Sequence, residues 1–344
     1  MNIRILSLLL ILLLQGCQSI GYFWQAGKGQ MAILANRENV QQLIESDETD
    51  NELRKKLVLA QKLTRFAHDN LAIDNRDNYS SYVDTGRRHV VYNIIANHRF
   101  SIDPISWCFP IAGCVPYKGF FKQEMAVAER DGLDAKGYDT ILYGVSAYST
   151  LGWFSDPLLN TFIGYSETDL AGLIFHELAH SQIYFKDHAN FNEAFATAVE
   201  IEGVKRWLTT TENTSEIERL QQDRLRHESI MELVLEYRQK LIELYGSELS
   251  DEDKAQNKTL IIDQMKSAYN EMQQAGENNR FFDWWFSQDL NNAHFNLLTT
   301  YHRLVPGFLA LLEKFDHDLD QFYIEVESLK SLSPQQRESY LLGL

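Results

Sequence analysis

The pentapeptide His176–His180, which reads His-Glu-Leu-Ala-His, constrains the fold and chemistry of this 344-residue chain more than any other feature. On an α-helix, two imidazoles four residues apart lie one turn from each other and about 40° apart around the axis. Both rings can therefore reach one metal ion, and the glutamate between them, Glu177, can contact a water on that ion. The spacing predicts a helix that carries two ligands of a metal site.

The residues before and within this stretch favour a capped and buried helix. Ser166 and Asp169 have the spacing of a capping box, with Ser166 as the N-cap. An apolar stripe at helical spacing would bury one face and aim the histidines at a cleft. It consists of Leu170, Ala171, Ile174, Phe175, Leu178 and Ala179. The alternative is a core helix with two satisfied histidines, and the spacing on a capped helix favours the metal site.

A third ligand must come from another part of the chain, because a catalytic zinc usually takes three protein ligands and keeps a fourth position for water. The zincin class with Gly at 183 and His at 186 is excluded, since this chain has Ile183 and Lys186. Glu193 lies on the next predicted helix and is nearly level with His180 if the two helices are antiparallel. His188, in the connecting turn, is the rival third ligand.

The second helix of this pair carries further predicted roles. The polar run Lys186–Asn190 predicts the connecting turn, with Asn190 as the N-cap. Thr197 lies on the ligand face of the second helix and is predicted to accept the second ring N–H of His176. Glu200 continues that face but lies about 10 Å along the axis from the third ligand, so we do not expect it to bind the metal.

Several longer motifs accompany the helix pair and cover most of the mature chain. They are Gly21–Ala26 with Gly29 and Gln30, Trp107–Val115, Tyr143–Leu159, the metal helix, the Asn192-Glu193 pair and Tyr301–Phe308. Together they resemble the bacterial predicted aminopeptidase family of the zincin clan. The turn after His180 departs from the family pattern at His188 and Asn190.

The resemblance implies a zinc peptidase that binds one Zn²⁺ ion and acts on a peptide or protein. It implies His176 and His180 as ligands and Glu177 as the catalytic residue, and Glu193 matches the Asn-Glu motif from which the third ligand is inferred. It also implies a zincin-like fold, with a small sheet beside the metal helix. For the oxyanion, Tyr301 is our first choice among Tyr148, Tyr184, Tyr301 and Arg303.

Low proline content and long heptad-like runs predict a predominantly helical α+β fold. We expect one domain over 17–344, with a catalytic part over 18–205 and a helical lobe over 206–344. Val145–Thr150 is the predicted edge strand for the substrate backbone. The other predicted helices are 29–46, 51–71, 118–131, 215–245, 251–274, 290–314 and 319–329; the predicted strands are 89–97 and 138–149, and the loops are 75–82 and 107–117.

The N-terminus predicts export and lipid attachment. Arg4 precedes an apolar run, Ile5–Leu14, which is too short to span a bilayer but long enough for a signal peptide. A small residue followed by Cys17 resembles a lipobox, so residues 1–16 would be removed and Cys17 acylated, anchoring the chain to a bilayer. Gln18 favours the outer membrane, facing the periplasm of a cell envelope. The alternative is an ordinary cleaved signal with an incidental cysteine.

The other two cysteines, Cys108 and Cys114, are expected to form a disulfide in an oxidising compartment, with Pro110 and Gly113 in the turn. Two buried free thiols or a second metal site are the alternatives. The net charge of −16, without a basic stripe, argues against nucleic-acid binding.

Exopeptidase activity needs an acidic group for the free amine of the substrate. The Gly-Ala-Met-Glu-Asn signature of well-known aminopeptidases is absent, and Glu167, Glu200 and Glu202 are equal candidates. An endopeptidase of envelope proteins therefore remains an alternative. A surface lipoprotein with a non-catalytic metal is another, although a structural site has no need of Glu177.

Overall fold

Helices dominate the fold, and three small sheets accompany them in the N-terminal half. The structure, a computed structural model, describes residues 21–74, 77–109, 113–150, 154–274 and 279–344, apart from the side chains of 280 and 299–302. The elements in chain order are α1 (21–35), β1 (Glu38–Asn39), α2 (Val40–Glu45), α3 (Asn51–Leu71), β2 (Ser81–Val83), β3 (Val91–Asn97), β4 (Trp107–Phe109), β5 (Gly113–Val115), β6 (Lys118–Phe120), α4 (Gln123–Asp134), β7 (Asp139–Val145), β8 (Leu158–Leu159), α5 (Glu167–Gln182), α6 (Ala189–Thr210), α7 (Thr214–Gly246), α8 (Asp251–Gln274), α9 (Arg280–Phe286), α10 (Asn292–His302), α11 (Val305–Lys314), α12 (Leu319–Ser328) and α13 (Pro334–Leu342). The predicted helical α+β class is confirmed.

The best predicted helices begin and end at local signals. Helix α3 has the predicted bounds: Asp50 caps it by accepting hydrogen bonds from two backbone amides, and Ala72 ends it in the left-handed region at φ 52°. Helix α5 begins after the predicted cap, since Ser166 Oγ accepts a 3.1 Å hydrogen bond from the Asp169 amide. These contacts satisfy backbone groups that a helix end leaves unpaired.

The central sheet has the order β6-β3-β7, with both pairs antiparallel. Strand β3 is buried along most of its length and pairs with β7 from Val91↔Val145 to Asn97↔Asp139. Strand β7 has one partner among the described strands, so it forms an edge of this sheet. The predicted edge strand Val145–Thr150 is wrong as a strand, because β7 ends at Val145 and the chain bends away there.

A second sheet, β1-β2-β8, leads into the metal helix, and β4 pairs with β5 as a hairpin. Strands β2 and β8 are parallel, and the short segment after β8 reaches the cap of α5.

Other elements differ from the prediction for identifiable reasons. The helix predicted over 29–46 is interrupted, because Asn39 accepts a hydrogen bond from the Gln42 amide and starts a new helix, α2. The helix predicted over 118–131 begins later, since its first residues pair with β3 as strand β6. The helix predicted over 290–314 is two helices, and Pro306 in the first turn of α11 has no amide to continue α10.

The two largest of four apolar clusters among the described residues form most of the core. The first unites α3, α5 and α6 with the C-terminal helices α11–α13, and the second lies among α7–α10. Gly203 allows the close approach of α3, α5 and α6: a Cβ there would lie 2.7 Å from Phe175 and 2.8 Å from Leu71. The predicted division at residue 205 remains a prediction, and α11–α13 share the core of the part before it.

The lipid anchor falls outside the described residues, because these begin at residue 21 and Cys17 precedes them. In the part of the chain that the structure describes, no helix is both long and apolar enough to cross a bilayer. The signal peptide and the acylated cysteine therefore stay predictions.

Candidate active site

Helices α5 and α6 form the antiparallel pair that carries the predicted ligands. Hydrogen bonds from a side chain of α6 stabilise the turn between them. The side chain of Asn192 accepts a hydrogen bond from the Phe185 amide and donates one to the Phe185 carbonyl, both 2.8 Å. The predicted cap Asn190 is wrong: His188 is the N-cap, and α6 begins at Ala189. The N-cap residue makes no side-chain hydrogen bond to the helix, and the side-chain amide of Asn192 stabilises the turn instead.

The helix pair brings the three predicted metal ligands together. Glu193 Oε2 lies 3.5 Å from His176 Nε2 and 3.8 Å from His180 Nε2. Their candidate ligand atoms all lie within 4.8 Å of one another. The side chains are 8–15% exposed, so the site is mostly buried but open to water.

The donor set fits a metal ion of the zinc type. Two imidazole nitrogens and one carboxylate oxygen form a ligand set that catalytic zinc uses, with a fourth position left for water. Glu193 reaches the site from the helix after the histidines, as the antiparallel arrangement predicted. Among the described residues, His180 Nδ1 is buried without a hydrogen-bond partner, which leaves Nε2 as the nitrogen that faces the other donors.

Burial shifts the pKa values of Glu177 and His180 in opposite directions. Burial raises the pKa of Glu177 to about 7, and the negative charges of Glu193 and Asp156 add to this against the opposing effect of His176. Burial also lowers the pKa of His180 to about 4, which favours the neutral imidazole that binds metals. A carboxyl group with a pKa near neutrality suits proton transfer at physiological pH.

For the other two predicted ligands, hydrogen bonds and charged neighbours outweigh the effect of burial on the pKa. Burial alone would lower the pKa of His176, but hydrogen bonds to Glu193 and Glu200 raise it well above its usual value. Burial alone would raise the pKa of Glu193, but the two histidines lower it. The glutamate therefore stays ionised beside the imidazoles, as a ligand must.

Glu200, rather than Thr197, contacts the first histidine. Glu200 Oε2 lies 3.0 Å from His176 Nδ1, so the predicted role of Thr197 is wrong in this structure. Glu200 lies two turns after the third ligand, where its longer side chain reaches back across the antiparallel pair. Gly172 leaves room for it, because a Cβ there would lie 3.0 Å from Glu200 Oε1.

The rival ligand His188 faces away from the site. Its Nε2 lies 3.4 Å from Glu338 and its Nδ1 lies 3.4 Å from Arg337, both on α13. Its ring also stacks on Phe191. The cluster of possible ligands among the described residues consists of His176, His180 and Glu193.

The family described as "Putative aminopeptidase" matches residues 21–341, nearly the whole described chain. The chain belongs to this family. No curated protein and no solved structure matches it.

In this aminopeptidase family member, the charge of Glu193 acts on two tyrosines; Tyr184 was among the candidates from the sequence and Tyr117 was not. Burial raises the pKa of Tyr117 well above its usual value, and the charges of Glu193 and Glu177 raise it further. Burial and the charge of Glu193 also raise the pKa of Tyr184. Both phenols thus stay protonated hydrogen-bond donors near the ligands. Tyr117 lies in the loop between β5 and β6, and no local pattern in the sequence distinguished it.

The other candidates for the oxyanion lie elsewhere or cannot be placed. Tyr148 donates a hydrogen bond to Gln30 on α1, and Arg303 pairs with Glu338 at 3.1 Å. Tyr301 belongs to α10, and its side chain lies outside the described part.

Two of the three glutamates proposed for the substrate amine have other partners. Glu202 pairs with Arg206 at 2.7 Å, and its other oxygen lies 3.2 Å from His317. Glu167 accepts a 3.0 Å hydrogen bond from the indole of Trp207. Of the three, Glu200 is the one that contacts a predicted metal ligand.

The predicted disulfide between Cys108 and Cys114 is present and joins β4 to β5. The hairpin holds the turn between α5 and α6, because the Cys114 amide donates a 2.5 Å hydrogen bond to Asp187 Oδ1. Gly113, at φ +77°, makes this contact possible, since a Cβ would overlap the Asp187 carboxylate. The predicted disulfide thus lies in the hairpin that contacts the turn between α5 and α6.

Proposed function

We propose that this protein is a zinc-dependent aminopeptidase, anchored by lipid to the cell envelope. The observation that carries the proposal is the convergence of His176, His180 and Glu193 within 4.8 Å, with Glu177 beside them. The family description supports peptide hydrolysis, and the donor set supports a metal. When bound, zinc would lower the pKa of a water towards 7 and polarise the scissile carbonyl.

Glu177 is the proposed general base. Its carboxylate takes a proton from the attacking water and passes it to the leaving amine. The hydroxyl of Tyr117 is the proposed donor to the developing oxyanion, because Tyr117 lies three residues after Cys114, whose amide contacts the turn between α5 and α6. Burial, and then the charges of Glu193 and Glu177, raise its pKa, so the hydroxyl keeps its proton. Glu200 holds the ring of His176, which fixes one ligand.

Glu200 is also the proposed recognition group for the free amine. One of its oxygens binds His176 and the other faces Gly172, and the side chain is 37% exposed. An ammonium group in the cleft would meet this carboxylate beside the metal ligands. The proposal makes N-blocked peptides poor substrates.

We also propose that the chain acts outside the cytoplasm, on the periplasmic side of the outer membrane. Support comes from the apolar run before Cys17 and from the Cys108–Cys114 disulfide, since disulfides persist in oxidising compartments. Labelling cells with a radioactive fatty acid tests the anchor: Cys17→Ser should abolish labelling. Labelling that survives this change would contradict the anchor.

The activity is tested with free aminoacyl reporters and N-blocked peptides, each with and without a chelator. We expect cleavage of the free reporters, loss with chelator and recovery with zinc. Glu177→Gln should keep one zinc per chain and lose hydrolysis, while Glu218→Gln, on the exposed face of α7, should match the parent. Cleavage of the blocked peptides alone would indicate an endopeptidase. Turnover in Glu177→Gln would remove the general-base role.

A further inference from the structure

Helix α1 has two different faces. Its inner face docks on the protein through Tyr22, Gln25 and Ile33: the Gln25 side chain accepts a hydrogen bond from the Phe121 amide, and Ile33 is buried in the core. Its outer face carries large apolar side chains into solvent, and Trp24 is the most exposed of them at 75%. Phe23 and Met31 are also exposed. A folded helix thus presents an apolar surface that the described residues leave exposed.

The charge around α1 is opposite to that of the rest of the protein. The chain has a net charge of −16 and 48 acidic residues, yet no Asp or Glu occurs before Glu38. Lys28 lies on the exposed side of α1, one turn after Trp24. The N-terminal region is therefore apolar and basic in an otherwise acidic molecule, which suits an anionic surface.

A cleft of about 450 Å³ opens beside this face. Its charged lining consists of Lys28, Arg87 and Lys122 with one acidic residue, Asp84, and its aromatic lining includes Trp24 and Phe121. A net positive charge beside aromatic side chains suits an anionic lipid headgroup and the upper part of its chain.

The position of α1 along the chain limits what can lie against it. The described part of the helix starts at Gly21, four residues after Cys17, and an extended chain of that length spans at most about 14 Å. If Cys17 is anchored in a bilayer, α1 cannot move far from the headgroups. An acyl anchor alone, however, does not require α1 to touch the membrane.

We propose that the outer face of α1, formed by Phe23, Trp24, Lys28 and Met31, lies in the interfacial layer of a bilayer with anionic headgroups. Tryptophan favours this layer because its ring is apolar and its N–H can still reach water. Lys28 would pair with headgroup phosphates while the apolar side chains enter the acyl boundary. The enzyme would then have a fixed orientation on the membrane, with α1 as its contact surface.

The test uses the full chain in vesicles that contain phosphatidylglycerol and brominated phosphatidylcholine, because bromine quenches tryptophan that enters the bilayer. Wild-type fluorescence should fall in brominated vesicles relative to unbrominated ones. Trp24→Phe should remove most of that decrease. Trp284→Phe is the matched control, since Trp284 is also exposed, at 44%, but lies on α9; this variant should retain the decrease.

Equal bromine quenching in the wild type and Trp24→Phe would overturn the proposal. That result is expected if the face of α1 is covered by a second copy of the chain or stays in water. Lys28→Glu should reduce quenching in phosphatidylglycerol vesicles, and an unchanged value would contradict the role of anionic headgroups. Cleavage of a soluble aminoacyl reporter is measured in parallel. The variants should leave it unchanged, so failure of the membrane contact is separable from failure of the peptidase.

Discussion

Replacement of Glu200 should weaken metal binding, because its carboxylate accepts the hydrogen bond that orients the ring of His176 over 3.0 Å. Residues that orient a metal ligand typically contribute about 10- to 100-fold in metal affinity, which corresponds to about 1.4–2.8 kcal/mol. The side chain is 37% exposed, so solvent screens part of its charge. We therefore expect about 10-fold weaker zinc binding for Glu200→Gln, which keeps an acceptor, and a larger loss for Glu200→Ala.

The assay is a zinc titration of the metal-free protein against a chelator of known affinity, without substrate, so that any role of Glu200 in amine recognition does not enter. Thr197→Val is the matched control, since it changes the neighbouring residue on the same face of α6 and should shift the affinity less than about 2-fold. Circular dichroism checks that α5 and α6 stay folded. The reasoning is refuted if Thr197→Val weakens zinc binding as much as Glu200→Ala does.

Three further predictions concern stability and the ligand set. Burial lowers the pKa of His294 to about 4, whereas in the unfolded chain this side chain takes up its proton near pH 6.5. The free energy of unfolding should therefore fall by up to about 3 kcal/mol as the pH is lowered from about 6.5 to 4. Urea unfolding of His294→Asn should show a smaller fall. Gly203→Ala should destabilise by about 1–3 kcal/mol in urea unfolding, because the new Cβ would lie 2.7 Å from Phe175, whereas Gly246→Ala meets nothing within 4 Å and should not. The His188→Ala variant should still contain one zinc ion in elemental analysis, since the His188 ring faces α13. Loss of the metal in this variant would instead identify His188 as a ligand.

Local patterns carried most of what could be predicted. The bounds of α3, the start of α8, the cap at Ser166 and the apolar face of α5 all depend on residues within a few turns of each other. The convergence of His176, His180 and Glu193 also followed from local spacing, because two helices joined by a short turn have few possible arrangements.

The rest depends on contacts between residues far apart in sequence. Helix period alone could not choose between Thr197 and Glu200, because both lie on the ligand face and the choice depends on side-chain reach and on the space beside Gly172. Tyr117 lies in a loop that only the folded chain brings near Glu193. The N-cap at His188 also escaped prediction, because Asn192 closes the turn in an unusual way.

The hydrogen bond from the Cys114 amide to Asp187 links the β4–β5 hairpin to the turn between α5 and α6. These two parts differ in size and in the interactions that stabilise them. The hairpin is small and is closed by one covalent bond, whereas the α5–α6 pair is embedded in the large apolar core. A reductant would open the disulfide and free the hairpin, while the α5–α6 pair would stay folded in the apolar core. We therefore expect reduction to loosen the turn between α5 and α6, and with it the predicted ligand site, before the apolar core unfolds.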